Sequence, residues 1–278
     1  MSAWKITQPE RLTLDEQVTT LEVWLAHGRL RVIGTDGPAR IEVTRLGRDG
    51  VEVNLADGLL AIRHALPPRG WRRFGGPFWW WFTGRHRFTA DLTVAVPVTA
   101  VGALTVISGN VLVSGLRHGV TVDVTSGSIT LTGLGGLVQA TTTSGSIHAR
   151  SVSGDLAMRT VSGEINLAES SAEHVVARTV SGSVTCDLDN PNARDVRVNT
   201  TSGEILVRLP RDVDLTVHLS ATSGRVTSAF PEVRPSGTPG QRSAFGRLGS
   251  GAGTLHAAAV SGSVSLLAAP AHVDRDQP

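Results

Sequence analysis

Along the second two-thirds of the chain, apolar and polar residues alternate with period two, and Ser-Gly interrupts the alternation at a nearly fixed interval. Ser-Gly pairs followed two positions later by Val or Ile begin at Ser108, Ser126, Ser144, Ser162, Ser181, Ser202, Ser223 and Ser261, with steps of 18, 18, 18, 19, 21, 21 and 38 residues. Before each Ser the second, fourth and sixth positions carry small or apolar side chains, as in Thr160, Met158 and Leu156, or Thr200, Val198 and Val196. After each Gly the second and fourth positions do the same, as in Ile147 and Ala149, Ile165 and Leu167, or Val184 and Cys186. Period two puts these residues on one face of a strand, and Thr130, His148, Glu164, Asn166, Thr185 and Glu204 fall on the other, wet face. The residue just before each Ser is β-branched, which a strand favours.

One such strand pair cannot bury its apolar face alone, whereas stacked repeats cover one another. The pattern therefore predicts an all-β, solenoid-like fold of the β-helix or β-roll type, built from coils of 18–21 residues with Ser-Gly corners. Glycine suits a corner because it accepts positive φ and lets backbones approach closely. The Ser hydroxyls are expected to bond turn amides or the Ser of the next coil. No His recurs beside these serines, so nothing in the pattern supplies the base that a nucleophilic Ser needs.

The opening third reads as less regular coils of the same kind. Residues 1–17 form a polar lead-in in which Pro9 argues against regular structure, and a single β-repeat domain spans 18–267. Within it, 18–100 are irregular opening coils and 101–267 regular ones. Thr20–Leu25, Arg29–Val32 and Arg40–Val43 alternate, and Val51–Leu55 with Leu59–Arg63 predicts a hairpin about Asp57-Gly58. Residues 229–253, rich in Pro, Gly, Ser and Arg, read as a mobile loop between coils, and 268–278 as a disordered tail.

Residues 64–87 break the alternation. Trp71, Arg72 and Arg73 lead into Phe78, Trp79, Trp80, Trp81 and Phe82, then Arg85 and Arg87, with no Asp or Glu anywhere from Gly58 to Ala90. Three readings stand side by side. The aromatics pack over the solenoid as buried area. They meet a membrane surface, where Trp favours the headgroup region and Arg is drawn to anionic lipid. Or they anchor a protein or ligand.

Net charge is +2 and Lys5 is the one lysine. That balance gives no global argument for nucleic acid, and none is expected as a partner. The single cysteine, Cys186, excludes an internal disulfide and sits where Val or Leu stand in other repeats, so it reads as core. No signal-peptide pattern or long apolar span is seen, which leads to the expectation of a cytoplasmic protein, in one version peripheral at the inner membrane face. The nine His show no metal-ligand spacing. Asp187 to Asn192 offers oxygen ligands but reads as an ordinary polar turn, and no cofactor is expected. Glu164 and Glu204 occupy equivalent positions two coils apart, roughly 10 Å at ~4.8 Å per coil. No pocket chemistry surrounds them, so a carbohydrate-active enzyme stays a distant alternative.

The Thr-Val-Ser-Gly-Glu-Ile and Thr-Thr-Ser-Gly-Glu-Ile units resemble a widespread bacterial family of unknown function, labelled "putative adhesin" and also described as toastrack-like. The resemblance spans about residues 18–267. It implies an all-β solenoid-like fold and, in some members, a link to cell-envelope stress signalling, and it carries no catalytic residues with it. The expectation is a non-catalytic interaction or scaffold module that meets a protein or a membrane surface. Self-assembly through open solenoid ends is the alternative within binding functions.

Overall fold

The structure is a computed structural model that describes residues 2–64, 88–191, 193–236 and 242–269. Among them every regular element is a β-strand, as the alternation requires, and none is a helix long and apolar enough to cross a membrane. By its internal packing the chain divides into two units, Met1–Gly136 and Leu137–Pro278.

The first unit holds β1 (Ser2–Ile6), β2 (Glu10–Leu14), β3 (Thr20–Thr35), β4 (Ala39–Leu46), β5 (Val51–Ala56), β6 (Leu59–His64), β7 (Thr89–Pro97), β8 (Val101–Ser114), β9 (Gly119–Ser126) and β10 (Ile129–Thr132). Its frame is the parallel pair β3 and β8. Each runs along one side of a coil, turns at a glycine and continues along the next side. Leu25 pairs with Val106, Gly28 with Gly109 and Leu30 with Val111. Before the corner β3 is flanked by β6, and after it by β7, both parallel to it. Antiparallel strands then finish that side of the unit, β5 on β6 with β1 on β5, and β4 on β7 with β2 on β4. The predicted hairpin is present. Ala56 pairs with Leu59 across Asp57 and Gly58, whose φ values of 50° and 78° are those of a type I′ turn.

The lead-in departs from expectation, since residues 2–6 and 10–14 are strands and Pro9 lies in the bend between them. The reason is geometric. Ile6 and Leu14 are the only buried side chains of these two strands, too few to print an alternation.

The second unit is the regular stack. Its coils are β11 (Leu137–Ser144) with β12 (Ile147–Arg150), β13 (Asp155–Ser162) with β14 (Ile165–Ser170), β15 (His174–Ser181) with β16 (Val184–Leu188), and β17 (Asp195–Ser202) with β18 (Ile205–Leu209). Next come β19 (Leu215–Ser223), β20 (Val226–Ser228), β21 (Arg234–Ser236), β22 (Arg242–Leu248), β23 (Gly253–Ser261) and β24 (Val264–Ala268). Ser144, Ser162, Ser181 and Ser202 lie in register on consecutive parallel strands. The inward column Ile147, Ile165, Val184, Ile205 and Val264 is at most 1% exposed. Burying side chains of this size yields roughly 1.5–3 kcal/mol each, which is what orders the stack. Cys186 stands among them as core, its thiol pushed up to about 12 first by burial and then by Asp187.

Two features of this unit differ from the sequence reading. The stretch 229–253 contains β21 and β22, antiparallel to each other, with β22 antiparallel to β19. Pro235 lies in β21, the outer strand, where proline is tolerated. The order of coils also differs from the order of the chain. β23 lies between β17 and β19, and β24 lies between β18 and β20.

Candidate ligand groove

The corner column fixes the outward surface of the second unit. An added Cβ at Gly163, Gly182, Gly203 or Gly262 would come within 2.0 Å of the carbonyl oxygen of the preceding corner glycine, and φ at these residues is 145–151° or 152°. Only glycine fits there. The hydroxyl that ties one coil to the next belongs to Thr rather than to the corner Ser. Thr160, Thr179 and Thr200 donate to the carbonyls of Gly145, Gly163 and Gly182 at 3.2, 3.4 and 3.1 Å. Sequence placed these threonines among the inward positions, and they are indeed buried.

With the corners locked, the first position after each glycine forms an outward column, exposed at Glu164, Glu204 and Arg225 and half-buried at Ser183 and Ser263. Glu164, Ser183, Glu204, Ser263 and Arg225 stand on consecutive strands, because Ile165, Val184, Ile205, Val264 and Val226 pair in register. Glu164 and Glu204 are thus separated by the coil of Ser183, as the spacing predicted. The third position forms a second column, in which Thr227 Oγ1 donates to Ser265 Oγ at 3.1 Å.

At the β20 end these columns border a groove of about 870 Å³. Its lining includes Thr222, Ser223, Thr227, Ser263 and Ser265 together with Arg225 and Arg242. Glu204 is the one acidic residue among the described lining residues. Among the described residues neither arginine is engaged in an ion pair, in contrast to Arg150 with Glu169, Arg194 with Glu173 and Arg208 with Asp187. Arg242 reaches the groove from β22, and the remaining residues from the corner strands.

A smaller hollow of about 290 Å³ lies on the strands before the corner. His218 and His256, adjacent in register, stack at 4.7 Å with ring planes 7° apart, and Phe245 meets His218 edge-on at 4.6 Å. Burial and the neighbouring His256 hold the His218 imidazole below its ordinary value. Ser220, Ser236 and Ser243 complete the lining.

The residues singled out from sequence lie elsewhere. Trp71, Arg72, Arg73, Phe78, Trp79, Trp80, Trp81, Phe82, Arg85 and Arg87 all fall outside the described residues. The described residues on either side of that stretch, in the first unit, are His64, at the end of β6, and Phe88. His64 is 2% exposed, its Nδ1 accepts a hydrogen bond from Ala26 N–H at 3.0 Å, and its ring meets Phe88 edge-on at 6.3 Å. Burial, reinforced by His27, lowers its pKa to about 4. Asp187, considered above as an oxygen ligand, instead pairs with Arg208 at 2.9 Å.

A family model, Toastrack DUF4097, matches residues 35–267, well over half of the chain. The chain belongs to this family. No curated protein matches it. Solved structures that resemble this toastrack chain include a "putative adhesin" from Bacteroides fragilis, 13% identical, covering 95% of this chain and 99% of that one at a TM-score of 0.43. A "putative lipid binding protein" from Parabacteroides distasonis is 11% identical, with coverage of 94% and 97% and a TM-score of 0.38. A "putative adhesin" from the same organism is 12% identical, with coverage of 96% and 97% and a TM-score of 0.36. The toastrack match and the stacked strands make the chain a β-repeat module, as the Ser-Gly period implied. The groove was missed at the sequence level because Glu204, Arg225, Arg242 and Ser263 are brought together by coil order, which no local motif records.

Proposed function

We propose that the chain is a non-catalytic interaction module that binds an extended, anionic, hydroxyl-rich chain of the acidic-polysaccharide class along the groove of its second unit. The observation that carries this reading is the pair Arg225 and Arg242, which among the described residues form no ion pair and line the groove together with five Ser and Thr residues. Guanidinium forks recognise carboxylate and sulfate in two-point fashion, and Ser and Thr hydroxyls both donate to and accept from sugar hydroxyls. Glu204 is the single carboxylate among the described lining residues, which therefore do not supply the carboxylate pair that glycoside hydrolysis uses. Of the roles raised by sequence, adhesin-like binding is the nearest to this one.

The test is titration of the intact protein with polygalacturonate, dextran sulfate and neutral dextran, with new reducing ends assayed in the same samples. Binding of the two anionic chains is expected, weakening with added salt as exposed charges are screened. The Arg225→Ala/Arg242→Ala variant is expected to bind about tenfold or more weakly, which corresponds to ~1.4 kcal/mol or more. Release of reducing ends is expected to stay at background. Equal binding of neutral dextran, or undiminished binding by the double variant, overturns the ligand class. Cleavage overturns the non-catalytic reading.

A further inference from the structure

The coil formed by β23 and β24 follows both of its neighbours in sequence and yet lies between them. Ser261 is in register with Ser202 on one side and with Ser223 on the other. Both flanks are bonded through the backbone. Gly203 N–H and Ile205 N–H donate to the carbonyls of Ser261 and Ser263, and Gly262 N–H and Val264 N–H donate to those of Ser223 and Arg225. Inside, Leu255, Ala257, Ala259, Val264 and Leu266 are at most 4% exposed.

The reason for the inverted order is on the next strand. β22 pairs along the far edge of β19 from Leu215 with Leu248 to Ala221 with Arg242, so that edge is already taken when the chain reaches Gly253. The turn of residues 249–252 then carries the chain over the start of β19 to its other side. This turn is pinned by Asp214 and Thr216. Asp214 Oδ1 accepts from Ser250 N–H at 2.6 Å, Asp214 O accepts from Gly253 N–H at 3.0 Å, and Thr216 Oγ1 donates to Gly251 O at 3.2 Å. Gly249 and Gly251 take φ of 55° and 73°, which makes the turn a natural hinge.

A coil laid down last into an internal place requires the two walls, β17 with β18 and β19 with β20, to stand open before it arrives. Each wall then shows an unpaired strand edge, the feature that recruits a strand from another chain. The walls recognise this coil by register and by its small inward side chains, and a second copy offers the same residues in the same register. Exchange of an identical element is a low-cost route to a dimer, because every contact of the closed form is regained.

From this we infer that Gly253–Ala268 exchanges between copies, and that the chain forms dimers in which this coil of one copy fills the slot between β17/β18 and β19/β20 of the other, with residues 249–252 as the hinge. The partner is a second copy of this chain. The inference stands on strand order and does not depend on the ligand of the groove.

Register pairs supply the test. Asn199 pairs with Ala258 on the strands before the corner, and Leu206 pairs with Ser265 on those after it. None of the four is a core position. Neighbouring strands lie ~4.8 Å apart, within the Cα separation that a disulfide accepts. Full-length chains carrying Asn199→Cys and Ala258→Cys separately, with tags of different size, are co-expressed, mildly oxidised and resolved without reductant. The same is done with Leu206→Cys and Ser265→Cys. Chains carrying both cysteines of a pair report that the thiols can meet at all, and buried Cys186 is left in place. The expected result is a disulfide-linked heterodimer for both pairs, in a yield that rises with protein concentration, while the doubly substituted chains also close internally. Internal closure of the doubly substituted chains with no heterodimer from either pair, at any concentration, overturns the inference.

Discussion

Two kinds of corner hold this molecule together, and they solve one problem with different atoms. In the regular coils of the second unit the chain turns at Ser-Gly, and the backbone of the next coil satisfies the corner amides. Gly145 N–H donates to Ser162 O, Gly163 N–H to Ser181 O, and Gly182 N–H to Ser202 O, at 2.9–3.0 Å. In the first unit, at the end of β6, the acceptor is a side chain: Ala26 N–H donates to His64 Nδ1. The first solution repeats at no cost in specificity, because glycine is required but the partner is always a peptide group. The second works once, depends on one imidazole staying neutral, and couples that corner to pH.

The strongest way to break the first kind of corner is to give it a Cβ. Gly182→Ala would place that atom 1.9 Å from Gly163 O, at a φ of 152°, and neither strand can give without unseating its own neighbours. A loss of about 3 kcal/mol or more is expected, since both the clash and the backbone conformation oppose it. Denaturant midpoints of the two proteins measure it, and a loss near that of an exposed Gly→Ala change would mean that the glycines are not stacked as described.

The second corner is expected to give way next. His64→Ala leaves Ala26 N–H buried with no acceptor, worth roughly 1–3 kcal/mol, beyond the loss of packing. His64→Gln sharpens the comparison, because it removes the titration while offering another acceptor. The folded state holds His64 at about 4 against 6.5 for an ordinary histidine, so on acidification the unfolded chain takes up the proton first. The contribution of His64 is therefore fully present above about pH 6.5 and is lost progressively as pH falls to about 4, at no more than ~1.4 kcal/mol per pH unit. His218 is shifted in the same direction and adds to the slope. The part that disappears in His64→Gln belongs to this corner. An unchanged pH profile in that variant would remove the imidazole from the account.

A smaller effect separates the Thr hydroxyl from the Ser hydroxyl. Thr200→Val keeps the shape and deletes the bond to Gly182 O, and a loss of about 0.5–1.5 kcal/mol is expected. Ser202→Ala, on the exposed side of the same corner, is expected to cost less. The reverse ranking would restore the Ser ladder. Smallest of all, Arg150→Ala removes the exposed pair with Glu169 and is expected to leave the thermal midpoint unchanged within error.

Much of the architecture was legible without coordinates. Alternation marked the inward positions, including Cys186. Ser-Gly marked the corners, and Asp57-Gly58 marked the hairpin. These are local consequences of side-chain period and of φ, and a single strand carries enough of them to be read. The two short strands before Thr20 escaped because each buries one side chain, and β22 escaped because its buried positions include small Ala244 and Gly246 while Phe245 points outward. The Arg-lined groove escaped for another reason, since Glu204 and Arg225 become neighbours only through the strand that carries Ser263.

The sequence by itself determined the kind of coil, the Ser-Gly residues at the repeat corners and the inward side of the regularly alternating strands, since those follow from chirality and from burial of alternate residues. It did not determine which coil lies beside which. Repeats that share one inward pattern can stack in any order at nearly equal energy, so adjacency is decided by what else covers each edge. Here β22 takes one edge of β19 and sends Gly253–Ala268 to the other. In the first unit, β6 and β7 take one side of β3 and leave the other to β8. That choice, made only in the folded chain, placed Ser263 between Glu204 and Arg225 and so built the groove.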